Sequence, residues 1–166
     1  MELSIKIVFL FSAVILTGLS AGFFYAWQVS VISGTKQLQD ETYLVTMQTI
    51  NRAILNPAFF SIFFGPLIIQ GITCIYEFHS SKLIFGLTLA AFFTYLIGAF
   101  GVTLFGNVPL NNRLDALSIA GSQLAKLTEF RMHYESTWNR LHLIRTSFSL
   151  ISFLLIVLSV FTQLKE

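Results

Sequence analysis

The segment "WNRLHLIRT", residues 138–146, brings an indole, an imidazole and two guanidinium groups to the threshold of a long apolar run. On an ideal helix, taking Trp138 as zero, His142 falls near 40°, Arg145 near −20°, Ser149 near 20° and Ser152 near −40°, while Arg140 points to about 200°. The segment therefore divides into an outward arginine and an inward stripe of Trp138, His142, Arg145, Ser149 and Ser152. An imidazole with an ordinary pKa of about 6.5 can take a proton at neutral pH. A guanidinium beside it can stabilise an oxyanion. The bland alternative is an arginine that snorkels next to an interfacial tryptophan, which leaves His142 and the serines unexplained.

Depth follows from rise per residue. Arg145 and Lys165 are twenty residues apart, roughly 30 Å, which is the thickness of a bilayer core and puts Arg145 at its boundary. "NVPLNNRL" (107–114) leaves helix 3 at that level, and "QTINRAILNP" (48–57) precedes helix 2 there. Gln28 reaches it from helix 1. Asn51, Arg52, Asn111, Arg113, Asn139, His142 and Arg145 thus converge at one rim, with Tyr25, Trp27 and Trp138 available to bracket a flat ring. Asn56, Asn107 and Asn112 are explained by capping and turns. Two histidines, His133 and His142, with no paired spacing and no nearby carboxylate make no metal site.

The elements that position these groups are helices. Four stretches lack Asp, Glu, Lys and Arg, from Ile7 to Thr35, Ala53 to Tyr76, Leu83 to Asn112 and Thr146 to Leu164, or 29, 24, 30 and 19 residues. A bilayer takes roughly 20, and a soluble bundle would carry charge on its outer faces. With 55% hydrophobic and 11% charged residues, the chain reads as all-α, an integral membrane four-helix bundle in a single domain, with spans near 5–30, 57–76, 83–106 and 139–162. "GLSAG" resembles a signal cleavage site, but the apolar run continues past it, so the first helix is read as retained.

A surface helix in the first long connection is predicted from Tyr43, Met47, Ile50 and Ile54. An amphipathic helical third connection is predicted from Leu110, Leu114, Leu117, Leu124 and Leu127, broken near Gly121 and stopped upstream by Pro109. Asn56-Pro57 supplies a helix start, and Gly65-Pro66 predicts a bend in helix 2. Gly18-x-x-x-Gly22, Gly86, Ala90, Gly98 and Gly101 read as helix-packing positions. Gln70 reads as a helix–helix hydrogen bond, and Glu77 as an interfacial helix end. More Lys and Arg lie on the side of the two long connections, which assigns those to the cytoplasm. The lone Cys74 excludes an internal disulfide, and a net charge of +2 excludes nucleic acid as a partner.

In their order, "AGFFYAWQVSVISG", "MQTINRAILNPAFF", "FFGPL", "NVPLNNRLD" and "WNRLHLIRT" resemble the small membrane family that includes fungal anthrone oxygenases, across residues 18–160. The resemblance implies a four-helix membrane fold. For some members it implies oxidation of a polycyclic anthrone to an anthraquinone by dioxygen, with no flavin, haem or metal cofactor. In the fourth-helix block it carries over to Asn139 and Arg145, not to His142. On this reading His142 is the base, Arg145, Arg113 and Asn111 face the oxyanion, and Trp138, Trp27, Tyr25, Asn139, Asn51, Arg52 and Gln28 surround an apolar aromatic or lipid-like molecule that arrives from membrane lipid. A bacterial chain would reside in the cell membrane, and a homo-oligomer stays open. The competing readings are a noncatalytic quinone- or lipid-binding module and a structural partner subunit. A transporter would place its charges nearer mid-membrane.

Overall fold

The computed structural model describes residues 5–79 and 81–163, and every element in them is helical. Five helices follow in order: α1 (Ile5–Thr35), α2 (Asp40–Ala53), α3 (Pro57–Glu77), α4 (Lys82–Asp115) and α5 (Leu124–Gln163). All but α2 are long and apolar enough to cross a membrane. Buried residues on α1 and α3–α5 form one inward stripe each, while Phe11, Ile68, Ile97 and Leu154 are among the apolar side chains left for lipid.

The predicted spans are too short at one end. α1 runs to Thr35, α4 continues through Asn107 to Asp115, and α5 begins at Leu124, fifteen positions before the predicted 139. What reads as a separate amphipathic connection is thus the projecting ends of α4 and α5, joined by a turn in which Gly121 takes φ +77°. At 1.5 Å per residue α5 is about 60 Å long, twice a hydrocarbon core. Nor does Pro109 stop α4. The turn before it, Thr103–Asn107, is π-helical, and this wider turn tolerates the missing proline N–H. Further π-turns occur at Trp27–Val31 and Tyr95–Gly101.

The projecting ends bury Leu110, Leu114, Leu127, Tyr134 and Trp138 against Tyr43, Leu44 and Met47 of α2. Polar clamps hold α2 there. Arg131 bonds Asp40 at 2.9 Å and Glu135 at 2.8 Å, and it donates to the carbonyls of Lys36 and Leu38 beyond the end of α1. The Thr128 hydroxyl donates to the same Asp40 carboxylate; this bond, with Arg131 beside it, holds that carboxyl below its ordinary pKa. Gln48 caps the exposed end of α4 by donating to the carbonyls of Leu114 and Leu117. The Asn56 side chain accepts from the Phe59 amide and starts α3, which continues unbroken through Pro66.

Deeper in the bundle, Gln70 on α3 donates to Thr17 at 2.8 Å and to Ser152 at 3.3 Å, and Ser152 donates to the carbonyl of Ala91. This joins α1, α3, α4 and α5 across lipid depth, the helix–helix role predicted for Gln70. Glu77 departs from its predicted role. It is fully buried, and neither carboxylate oxygen has a hydrogen-bond partner among the described residues.

Close approach rests on Gly98 above all, with Gly106, 2.9 Å by its would-be Cβ from Leu141, and Gly18 next. A Cβ on Gly98 would overlap the Phe148 side chain of α5, and one on Gly18 would stand 3.0 Å from the Phe153 ring. Gly22 and Gly86, predicted for the same purpose, face open space. Gly98→Ala must therefore push α4 from α5, at a cost of about 1–3 kcal/mol, whereas Gly22→Ala is silent. Thermal unfolding in detergent, read by loss of the monodisperse peak, checks the contrast; equal melting temperatures would refute it.

Candidate functional site

Arg145 is brought to the cavity wall by α5 and is only 7% exposed. Its Nε donates to His142 Nδ1 at 3.0 Å and its Nη1 to the Thr103 hydroxyl at 3.4 Å. The guanidinium carbon lies 4.8 Å from the Phe24 ring centre and 5.0 Å from that of Trp138. No carboxylate pairs with it among the described residues, where the ion pairs involve only Arg52 and Arg131. A buried charge in that position needs an anion or a strong acceptor.

His142 is fully buried, and its hydrogen bonds fix its tautomer. Arg145 Nε can only donate, so Nδ1 carries the lone pair. Nε2, 3.1 Å from the carbonyl of Phe24, carries the hydrogen. Trp138 stacks on the ring at 5.1 Å with planes 5° apart, and Trp27 lies 6.4 Å away. A base needs a free ring nitrogen facing the ligand. Here the sole lone pair is committed to Arg145, so the geometry fits His142 as the support that aims the guanidinium.

A directed chain of hydrogen bonds lies beside it. Trp138 Nε1 can only donate, which identifies the Asn111 atom 2.9 Å away as Oδ1. The Tyr134 hydroxyl donates to the same oxygen at 3.2 Å and accepts from Asn51 Nδ2 at 3.2 Å. Asn111 Nδ2 and Asn51 Oδ1 have no protein partner among the described residues. Both residues line a cavity of about 240 Å³, just below the roughly 300 Å³ at which pockets for drug-sized molecules begin. Phe23, Trp27 and Phe59 form an apolar wall; Trp138, His142, Arg145 and Thr103 form the inner end. Arg52 and Asp115, paired at 2.6 Å and largely exposed, stand at the outer end.

Of the residues predicted from sequence, Trp27, Asn51, Arg52, Asn111, Trp138, His142 and Arg145 line this cavity. Arg113 does not: it is exposed on the far side of α4's last turns, because Leu114 and Leu110 take the inward face. Tyr25 is 52% exposed on the outer face of α1, two residues before the π-turn that carries Trp27 inward. Asn139 and Gln28 are half-buried outside the lining. Thr103, Asp115, Phe23 and Phe59 were not foreseen. Thr103 had a signal, since it precedes Asn107 and Asn111 at spacings of four along one helix. Among the described residues no three His, Cys, Asp or Glu side chains cluster as metal ligands.

Four helices long and apolar enough to cross a membrane, around an aromatic-lined cavity that holds a buried arginine, define a small integral membrane bundle. The sequence model of the anthrone oxygenase family matches residues 58–155, more than half of the 166-residue chain. The chain belongs to that family. No curated protein and no solved structure matches it.

Breaking this hydrogen-bond chain at its two middle members should cost different amounts. Asn111→Leu strands the Trp138 N–H in a buried setting, about 1–3 kcal/mol, while Tyr134→Phe removes a shared hydroxyl and costs about 1 kcal/mol. Melting temperatures in detergent should fall in that order; a larger loss for Tyr134→Phe would contradict the assigned directions.

Proposed function

We propose that the cavity binds a polycyclic aromatic ketone bearing an activated methylene and promotes its oxidation by dioxygen to the diketone. The observation that carries this reading is Arg145: a buried guanidinium that no carboxylate among the described residues pairs with, edged by aromatic rings and lining the cavity. Its neighbours, family membership included, support an anthrone-like substrate.

The chemistry balances without a further oxidant. Loss of a methylene proton leaves an enolate, whose oxygen Arg145 stabilises by charge-assisted hydrogen bonds, while Thr103, its own hydrogen given to the Ala99 carbonyl, helps to aim the guanidinium. The enolate carbon gives an electron pair to dioxygen, forming a C–O bond and, with one proton, a hydroperoxide. Loss of the remaining proton on that carbon then breaks the O–O bond, releasing hydroxide and leaving the second ketone. Ketone and dioxygen become diketone and water. His142 keeps Arg145 aimed, and the first proton leaves to water at the polar mouth. The committed His142 lone pair also favours a second reading, in which the same groups hold a quinone and no turnover follows.

Purified protein in detergent, given 9-anthrone under air, separates these readings through oxygen uptake and quinone absorbance. Arg145→Gln should lower kcat by about 10²–10³. His142→Ala should lower it less, and His142→Gln, whose amide oxygen can still accept from Arg145, should restore part of that loss. Equal inactivity of both His142 variants would restore the base; binding of the matching quinone with no turnover by the unaltered protein would leave only the quinone-holding module.

A further inference from the structure

Arg52 and Asp115 do no work in the proposed reaction, yet both line the cavity at the end away from Arg145. Arg52 stands in the last turn of α2, and Asp115 ends α4. Their side chains are 63% and 53% exposed, so the bond between them is a solvated pair of small worth and opens at little cost. Only Arg52 Nε is engaged; its four terminal N–H groups have no protein partner among the described residues. Asn111 Nδ2, also unpartnered, lies in the same lining. The outer end therefore offers unpaired donors around one cation, and the only acid in the lining is its replaceable partner.

Resting on the reading of the cavity as a pocket for a flat aromatic ketone, we propose that Arg52 is a second recognition point. It takes a carboxylate on the ligand's far edge in exchange for Asp115, with Asn111 donating beside it. The preferred ligands are then ketones with two polar ends, an oxygen meeting Arg145 inside and an acidic substituent meeting Arg52 at the mouth. The apolar wall of Phe23, Trp27 and Phe59 covers the body between them. Asp115 sets the selectivity: it holds Arg52 in place while the cavity is empty, and it repels an anion that arrives without reaching the guanidinium.

The chain's two tryptophans, Trp27 and Trp138, both line the cavity, so quenching of intrinsic fluorescence reads occupancy directly. Anthraquinone and anthraquinone-2-carboxylate are the probes, titrated into full-length protein in detergent. Asp115→Asn should tighten the carboxylate about five- to tenfold, the worth of one charge-assisted bond, and leave anthraquinone within twofold. Arg52→Gln should weaken the carboxylate by a similar factor and again spare anthraquinone. Comparing variants with one probe cancels its partitioning into detergent. If neither variant changes the carboxylate's affinity while anthraquinone still binds and Arg145→Gln weakens it, the second recognition point is wrong and the ketone pocket stands. If anthraquinone itself fails to quench, the pocket reading falls and this proposal with it.

Discussion

A guanidinium taken out of water, with no carboxylate among the described residues to meet it, is the constraint around which this molecule is arranged. Arg145 is tolerated because its surroundings share out its charge: an imidazole lone pair, a threonine hydroxyl and the faces of Phe24 and Trp138. None of these neutralises it. The remaining electrostatic demand is directed at the cavity, and a molecule that brings an oxygen with partial or full negative charge satisfies it. Burial without a partner is costly in a low dielectric, and that cost is what makes Arg145 the basis of the proposed binding.

Everything near Arg145 keeps that geometry rigid. His142 is held from three sides, by Arg145, by the Phe24 carbonyl and by stacking on Trp138. Trp138 is held in turn by Asn111, which the Tyr134 hydroxyl and Asn51 extend to α2. The surface helix is therefore part of the site. Its docking depends on Arg131, which gathers α2, the end of α1 and its own helix through two ion pairs and two carbonyls. A chain of short-range contacts thus links the docked surface helix to a buried cation.

Several of these features were legible in the chain of residues. The helical angles of Trp138, His142, Arg145, Ser149 and Ser152 place them on one face, and all five are buried while Arg140 is exposed. That periodicity survives because α5 is a regular α-helix throughout. Arg113 and Tyr25 show where such reasoning fails. Both lie within two residues of lining residues in sequence, but the turn each occupies rotates it away, and π-turns in α1 and α4 alter the register that a constant 100° per residue assumes. The early start of α5 was missed for a related reason. Polar side chains along 124–137 look like a connection when length alone is measured, yet α2 supplies the apolar partner that lets them continue as helix.

The sequence by itself determined that four apolar helices cross a membrane and that basic and amide side chains gather at one end, because hydropathy and helical repeat are properties of neighbours along the chain. Only the tertiary structure decided that His142 spends its lone pair on Arg145, that no acid among the described residues reaches that arginine, and that Arg52 and Asp115 share one mouth. Those facts depend on which atom of one helix lies within about 3 Å of which atom on another. Composition and spacing carry no such distance; packing sets it.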